Sequence, residues 1–304
     1  GVAGVYCDEM TLSWQVVYST PTSHQLISPF LNVFVLHPLF PSFSQYQSGF
    51  SVEPNYPRRL TPISFEIFLI TSTFKIRAIM KAYLSKSKFL KGLQCHKSLW
   101  LHKHEPELVS PPEESQQAIF DTGTEVGLLA RNLFPDGKEI IFKEGSFTKK
   151  IKQTRELIEN GAETIYEATF THNNVLAMVD ILHKGIRGWE LYEVKSSTGV
   201  TDIYISDLSV QYYVLSGCEL PISKTSLIYI NNQYVKYGEL NIKELFCITE
   251  LINKIEENQG FVEDQLSEMN EILMGKCPGI DIGNHCDTPY PCDFKDHCWS
   301  HVPE

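Results

Sequence analysis

Two short apolar segments with charges at fixed positions constrain this chain most. Residues 176–197 read LAMVDILHKGIRGWELYEVKSS, with Asp180 in the first segment and Glu193-Val194-Lys195 in the second. Alternate side chains of a strand share a face, so Glu193 and Lys195 point to one side of a sheet and Val194 to the other. If the two strands pair, Asp180 lies beside them. Two carboxylates and an ammonium together suit the binding of a hard divalent cation near a developing oxyanion. The alternative is a set of solvated charges on an edge strand.

Composition limits the class of protein. The chain has 304 residues, 42% of them hydrophobic, which is enough to bury one core or two. Its net charge of −11 argues against general coating of nucleic acid, although a local basic groove remains compatible with it. One stretch, 81–100, is rich in lysine and has no acid, which is typical of a helix facing phosphate or of a solvated helix face. Its lysines are Lys81, Lys86, Lys88, Lys91 and Lys97.

We expect a cytoplasmic location. No stretch reaches the roughly 18 to 20 apolar residues of a membrane helix. The N-terminus lacks a basic region followed by an apolar block, so it does not resemble a secretory signal. In that compartment the eight cysteines are expected to be metal ligands or thiols rather than disulfides.

The chain divides near Met80. Residues 1–79 lack sustained patterning, and we interpret them as upstream sequence read in frame; the alternative is an accessory segment. Residues 80–304 predict an α/β domain, a small mixed sheet flanked by helices. The predicted helices lie near 87–105, 117–134, 149–160, 207–216 and 243–273, and the predicted strands at 163–170, 175–182, 189–195 and 225–231.

Cysteines recur near the C-terminus. Cys286, Cys292 and Cys298 are separated by five-residue gaps in a loop rich in Gly, Pro and Asp, which could not form a core alone. Such a segment is usually organised by a metal. A zinc site is one reading, with ligands from these cysteines and from Cys277, His285 and His297. An iron–sulfur cluster is the other, and it needs a fourth thiolate, for which Cys95 is best placed.

The order of these features resembles a known family. A cysteine followed by basic residues and Trp (CHKSLWL), the Asp180…Glu193-Val194-Lys195 core, Gln211 on the next helix and the terminal cysteines are similar to RecB-like PD-(D/E)XK nucleases with an iron–sulfur cluster. This group includes CRISPR-associated spacer-processing exonucleases and the AddB nuclease domain. The FDTGTEVGLLAR and PYPCDFKDHCW segments also resemble a bacterial subfamily with longer members, so we expect the chain to be a fragment.

The resemblance implies a restriction-endonuclease-like fold with a metal-bound, cysteine-rich C-terminal loop. Cys95, Cys286, Cys292 and Cys298 would hold a 4Fe–4S cluster as a structural staple, with zinc as the alternative. Asp180, Glu193 and the Val194 carbonyl would hold Mg²⁺ or Mn²⁺, Lys195 would orient water or stabilise the transition state, and Gln211 would position Lys195 or a phosphate.

The chain departs from the family at several positions. Gly127 stands where many relatives have a metal-binding His, so Glu125 is proposed as the substitute carboxylate. The usual Gln-x-x-x-Tyr pair has Leu215 in place of its Tyr; either Tyr212 takes over the contact or the contact is lost. Glu167 is a second-tier candidate, and Asp207 is interpreted as capping or packing.

The activity implied is metal-dependent hydrolysis of DNA, single-stranded or with free ends, by an exonuclease in repair, recombination or defence, with RNA as the alternative substrate. Two other functions stay open: an inactive module that binds nucleic acid, and a zinc-stabilised interaction domain.

Overall fold

The computed structural model describes residues 84–111, 114–141 and 146–302. The predictions for residues 1–79 lie outside this part of the chain. The helices are α1 (Lys86–Gln94), α2 (His96–His104), α3 (Glu114–Ala130), α4 (Phe147–Glu159), α5 (Asp202–Gly217), α6 (Ile242–Leu245), α7 (Ile252–Glu257), α8 (Gln259–Met274) and α9 (Lys295–Trp299). None of the helices in these ranges is both long and apolar enough to cross a membrane.

In the described part of the chain, seven strands form one mixed sheet. They are β1 (Leu84–Ser85), β2 (Lys138–Glu139), β3 (Thr164–His172), β4 (Val175–Lys184), β5 (Trp189–Lys195), β6 (Ile222–Ile230) and β7 (Phe246–Glu250). The main order is β2-β3-β4-β5-β6-β7, with β1 paired to β4. The pairs β3–β4, β4–β5 and β6–β7 are antiparallel, and the pairs β2–β3, β5–β6 and β1–β4 are parallel. The α/β prediction of a mixed sheet flanked by helices is confirmed, and the arrangement is compatible with a restriction-endonuclease-like fold.

One edge of β4 is shared by two strands. β3 pairs with β4 from Thr164↔His183 to His172↔Val175 and so takes its other edge. On the shared edge, β1 pairs at Val175 and Leu176, whereas β5 pairs from Ile181 to Lys184. The residues between, including Asp180, therefore face a gap in the sheet. The candidate site lies at this gap.

The two faces of the sheet carry separate cores. The larger includes Leu191 from β5, Phe89 from α1 and Leu208 from α5, and the smaller includes Tyr192 and Val194 from β5 with Val126 from α3. Glu193 alternates with Tyr192 and Val194, so its side chain points to the larger core. Helices α1 and α5 are thus the elements that reach Glu193.

Several predicted boundaries are wrong. The helix expected at 243–273 is interrupted by β7, which pairs with the edge of β6 from Phe246 to Glu250. Pairing with an open sheet edge overrides the helical pattern there, because strand formation depends on such tertiary contacts. The helix expected at 87–105 begins at Lys86, capped by the Ser85 hydroxyl, and is broken at Cys95, which has an extended backbone. The strand predicted at 189–195 is confirmed at both ends.

The cysteine-rich segment packs against α1 and α2. Gln94 Nε2 donates to the carbonyl oxygens of His285 and Tyr290, both at 2.7 Å. Asp293 accepts from Lys91 and lies 2.9 Å from His102 Nε2, and Phe294 is fully buried. The two helices therefore form the platform on which this segment folds.

Candidate active site

The sheet is irregular at Asp180. The β3–β4 register passes from Tyr166↔Ile181 to Ala168↔Val179 and omits the pair of Glu167 with Asp180. Val179 belongs to the larger core and Ile181 to the smaller one, although alternate residues of a regular strand share a face. Glu167 has a φ of 59°, which is rare for a residue with a side chain. Both strands are therefore distorted at this level, and such distortions cluster at functional sites.

Asp180 connects β4 to β5 through its side chain. The backbone ladder between these strands ends at Ile181↔Tyr192. Just beyond it, one residue along β4 and two along β5, the Val194 N–H donates to Asp180 Oδ2 at 2.8 Å. The carboxylate therefore lies beside the Val194 backbone, where β4 and β5 separate.

Glu193 lies at the centre of the site. Its side chain is 2% exposed. Lys86 Nζ lies 2.9 Å from Oε1 and 2.8 Å from Oε2, Lys195 Nζ donates to Oε1 at 2.6 Å, and Gln211 Nε2 donates to Oε2 at 2.8 Å. Such a buried carboxylate can stay ionised because it is paired and hydrogen-bonded.

Asp207 is the second acceptor of this cluster. It is 1% exposed and accepts from Lys195 Nζ at 2.7 Å and from Gln211 Nε2 at 3.1 Å. Asp207 and Gln211 are four residues apart on α5 and so lie on the same face of that helix. The interpretation of Asp207 as capping or packing therefore needs correction, because its carboxylate is an acceptor in the Glu193 cluster.

The charges shift one another's pKa values. Burial and Asp180 raise the pKa of Glu193, but Lys195 and Lys86 outweigh them, so its pKa is lowered. Burial lowers the pKa of Lys195, but Glu193 and Asp207 outweigh it and hold that pKa well above its usual value. The pKa of Lys86 is raised by the same acids against the effect of burial. Glu193 is therefore a carboxylate, and Lys86 and Lys195 are ammonium groups, near neutral pH.

Glu167 lies in a separate ion pair at the distortion. Its Oε1 lies 3.1 Å from Arg131, which also contacts Glu139 at 2.9 Å. Burial and the Asp180 charge raise the pKa of Glu167 to about 7, against the opposing effect of Arg131. Glu167 is thus a carboxyl group that titrates close to neutral pH.

The structure brings together most of the residues predicted for the site. Asp180, Glu193, Lys195 and Gln211 are linked by the contacts above, directly or through the Val194 backbone. Glu125 is exposed, and its carboxylate forms no hydrogen bond or ion pair with any residue of the described ranges. Its role as a ligand stays a prediction. Leu215 is fully buried, and the Tyr212 hydroxyl donates to Glu256 at 3.0 Å rather than to this cluster.

Two residues of the cluster were not predicted. Lys86 was noticed only as one of several lysines, because 107 residues separate it from Glu193. Asp207 could have been predicted from the sequence, because its four-residue spacing from Gln211 places both side chains on one helical face.

The oxygen donors at the gap suit a hard cation. Within the described ranges, no three His, Cys, Asp or Glu side chains are arranged to hold a metal ion. Mg²⁺ commonly takes only one or two carboxylates from a protein and completes its coordination with water and substrate phosphates. Asp180 and Glu193 are such a pair, and the buried Gln211 Oε1 beside Glu193 lacks a hydrogen-bond partner among the described residues. The donor set therefore fits Mg²⁺ or Mn²⁺.

The four predicted cluster cysteines line one cavity. Cys95 comes from the break between α1 and α2, and Cys286, Cys292 and Cys298 come from the C-terminal segment. Burial raises the pKa of the Cys95 and Cys298 thiols, and the neighbouring Cys292 and Cys286 add to this effect. Cys277 is exposed and does not line the cavity. Four thiols at one cavity are a donor set that fits zinc or an iron–sulfur cluster.

No family model matches the chain. No curated protein matches it. Among solved structures, the chain is similar to a phage-related exonuclease from Haemophilus somnus 129PT, with 14% identity over 56% of this chain and 93% of that one and a TM-score of 0.20. At this TM-score the similarity carries no argument for fold or function.

Proposed function

We propose that the protein is a metal-dependent nuclease that hydrolyses phosphodiester bonds. The observation that carries the proposal is the cluster at the gap in the sheet. There, Asp180 bonds to the Val194 backbone, and Glu193 shares Lys195 and Gln211 with Asp207. Carboxylates with a partly buried ammonium suit a reaction in which negative charge develops on a phosphate.

Each side chain has a distinct role in the proposed reaction. Asp180 and Glu193, with the Val194 carbonyl, would hold Mg²⁺ or Mn²⁺. When bound, this ion would lower the pKa of a water molecule and shield phosphate charge. Lys195 is held between Glu193 and Asp207, and its ammonium would orient the attacking water or stabilise the charge of the transition state. Gln211 would hold Glu193 and Asp207 in place through its two hydrogen bonds.

We further propose that DNA with free ends is the substrate. Lysines follow β1 on α1, and Lys86 reaches the cluster directly, so positive charge lies at the site although the chain has a net charge of −11. Local positive charge attracts the phosphate backbone without specifying its sequence. RNA is the alternative substrate, and a role in repair, recombination or defence belongs to the proposal.

The test is degradation of end-labelled DNA by the anaerobically purified full chain. Single- and double-stranded substrates are incubated with Mn²⁺ or with EDTA, beside Lys195→Ala and the control Lys184→Ala. Lys184 is the exposed last residue of β4 and lies outside the cluster. We expect Mn²⁺-dependent cutting that Lys195→Ala abolishes and Lys184→Ala preserves.

The opposite result has a clear meaning. If the folded protein binds DNA but does not cut it with Mn²⁺, the nuclease proposal is wrong. The protein is then a module that binds nucleic acid. Labelled RNA, run in parallel, decides between the two polymers.

A second proposal concerns the cysteines. We infer that Cys95, Cys286, Cys292 and Cys298 hold a 4Fe–4S cluster that joins the α1–α2 break to the C-terminal segment. The support is that four thiols from two distant parts of the chain line one cavity, and four cysteine thiolates are the usual ligands of such a cluster. The alternative is a zinc-stabilised interaction domain. Metal analysis distinguishes the two, because it would find zinc instead of iron.

A further inference from the structure

The ammonium of Lys86 lies where a cation bound to Glu193 would lie. It contacts both oxygens of Glu193, at 2.9 and 2.8 Å, and lies 3.6 Å from Asp207 Oδ1. Lys86 is the first residue of α1 and directly follows β1, which pairs with the same edge of β4 that carries Asp180. Backbone pairing therefore places this lysine at the gap.

Glu193 has no capacity left for another cation. A carboxylate offers about four lone-pair sites. Lys86 contacts both oxygens, Lys195 donates to one and Gln211 to the other. A divalent cation that binds Glu193 must therefore displace one of these donors.

Lys86 is the donor whose displacement costs least. Lys195 and Gln211 also donate to Asp207, at 2.7 and 3.1 Å, so each is held at two points. Lys86 approaches Asp207 only to 3.6 Å, so its short contacts are with Glu193 alone. Its side chain is 20% exposed, similar to Lys195 at 24%, whereas Gln211 is fully buried. A small rotation would bring the Lys86 ammonium to Asp207 and leave its charge paired.

We propose that Lys86 is an internal cation that competes with the divalent metal ion for Glu193 and turns to Asp207 when the metal binds. This inference rests on the proposed metal-dependent function. Without metal, Lys86 offsets the negative charge of the buried carboxylates, which would otherwise repel one another. Because Lys86 competes with the metal ion, a higher metal concentration is needed to fill half of the sites. Lys86 therefore sets the concentration of metal at which the site is occupied.

The experiment measures Mn²⁺ affinity directly, from the electron paramagnetic resonance signal of free Mn²⁺ in titrations of the full chain. Lys86→Met removes the charge and keeps most of the stem. Lys88→Met is the matched control, because this lysine belongs to the same helix and its side chain forms no hydrogen bond or ion pair with any described residue. Lys86→Arg keeps a positive charge at the same position.

We expect Lys86→Met to bind Mn²⁺ at least about tenfold more tightly than the natural protein, since one neighbouring unit charge shifts ion binding by a carboxylate by about that factor or more. Lys88→Met should match the natural protein, and Lys86→Arg should bind no more tightly than it. Mn²⁺ should also raise the unfolding temperature of Lys86→Met by more than that of the natural protein.

Two results would overturn the inference. If Lys86→Met binds Mn²⁺ equally or more weakly while Lys88→Met is unchanged, Lys86 positions Glu193 rather than competing for it, and the nuclease proposal survives. If neither the natural protein nor Lys86→Met binds Mn²⁺, the metal-dependent function fails as well.

Folding of the variant is itself informative. If Lys86→Met is unfolded in EDTA, the inference predicts that saturating Mn²⁺ restores the fold, because the metal takes over the charge of the missing ammonium. A variant that stays unfolded with Mn²⁺ would contradict it.

Discussion

At the residue scale, the site depends on which charges share a partner. Lys195 is held by Glu193 and Asp207 at nearly equal distances of 2.6 and 2.7 Å, so its ammonium has a defined position. Removing one partner from a buried ionic cluster leaves uncompensated charge, and such changes commonly cost about 3–5 kcal/mol. Asp207 is therefore as important for the geometry of Lys195 as Glu193 is.

We predict that Asp207→Asn lowers the free energy of unfolding by about 3 kcal/mol and reduces DNA cutting at least about tenfold. The amide keeps the shape of the side chain but cannot neutralise Lys195. The control is Asp202→Asn in the exposed first turn of the same helix. Urea unfolding and the end-labelled assay measure both effects, and unchanged cutting by a stable Asp207→Asn protein would remove Asp207 from the site.

Glu167 leads to a prediction about pH. Its pKa is raised from 4.5 to about 7, so the folded state binds this proton more tightly than the unfolded state. The stabilising contribution is therefore complete below about pH 4.5 and is lost as pH rises through 7. Relative to Glu167→Gln, the natural protein should lose up to about 3 kcal/mol of unfolding free energy between pH 5 and pH 8.

Urea unfolding in EDTA at several pH values tests this prediction. Glu159→Gln, at the exposed end of α4, serves as the control and should follow the natural protein. A Glu167→Gln protein with the same pH profile as the natural one would show that Glu167 has an ordinary pKa.

At the element scale, the break between α1 and α2 organises the C-terminal segment. Cys95 has an extended backbone, with φ −161° and ψ 113°. This single residue separates the end of α1 from the start of α2. Gln94, just before the break, donates to two carbonyl groups of the segment. This segment has few regular elements of its own, so its order depends on such contacts.

We predict that Gln94→Ala loosens the C-terminal segment while leaving the sheet intact. The change leaves two carbonyl oxygens without their donor, and each lost hydrogen bond is expected to cost about 1 kcal/mol. Hydrogen exchange of the Cys292 and Cys298 amides should accelerate, because these amides donate to Cys286 and Phe294 within the segment.

The control for this prediction is Gln265→Ala, which removes an exposed contact with Glu268 on α8. Amides of β4 should exchange at the natural rate in both variants. Unchanged protection of the segment in Gln94→Ala would mean that Asp293 and Phe294 hold it without Gln94.

At the scale of the whole molecule, α1 joins the two candidate sites. Lys86 at its first residue contacts Glu193, and Cys95 directly after its last residue lines the cysteine cavity. Nine helical residues span about 13 Å. The cavity and the Glu193 cluster are therefore joined through one helix.

We predict that the anaerobically purified protein is brown and contains about four iron and four sulfide per chain. Cys95→Ser should lose most of this iron and unfold at a lower temperature, because a bound cofactor stabilises the folded state. Cys277→Ser, outside the cavity, should keep both properties. Colourless protein with about one zinc per chain would instead support the zinc-stabilised domain.

Some features of this protein were determined by its sequence alone. The alternation in 189–195 predicted β5 to the residue, and it also predicted that Glu193 and Lys195 share a face. The cysteine spacing indicates a metal-bound segment; Cys286, Cys292 and Cys298 line one cavity with Cys95, and the metal itself stays a prediction. The β5 prediction succeeded because period is a local property of a chain.

Other features were decided only by the tertiary structure. Lys86 reaches Glu193 across 107 residues because β1 adds to an edge of β4 that β5 leaves open. The expected helix at 243–273 contains β7 because β6 offers a free edge for pairing. No local pattern encodes either event: both depend on where distant strands leave hydrogen-bonding groups unpaired, and burial of such groups requires that a partner be found.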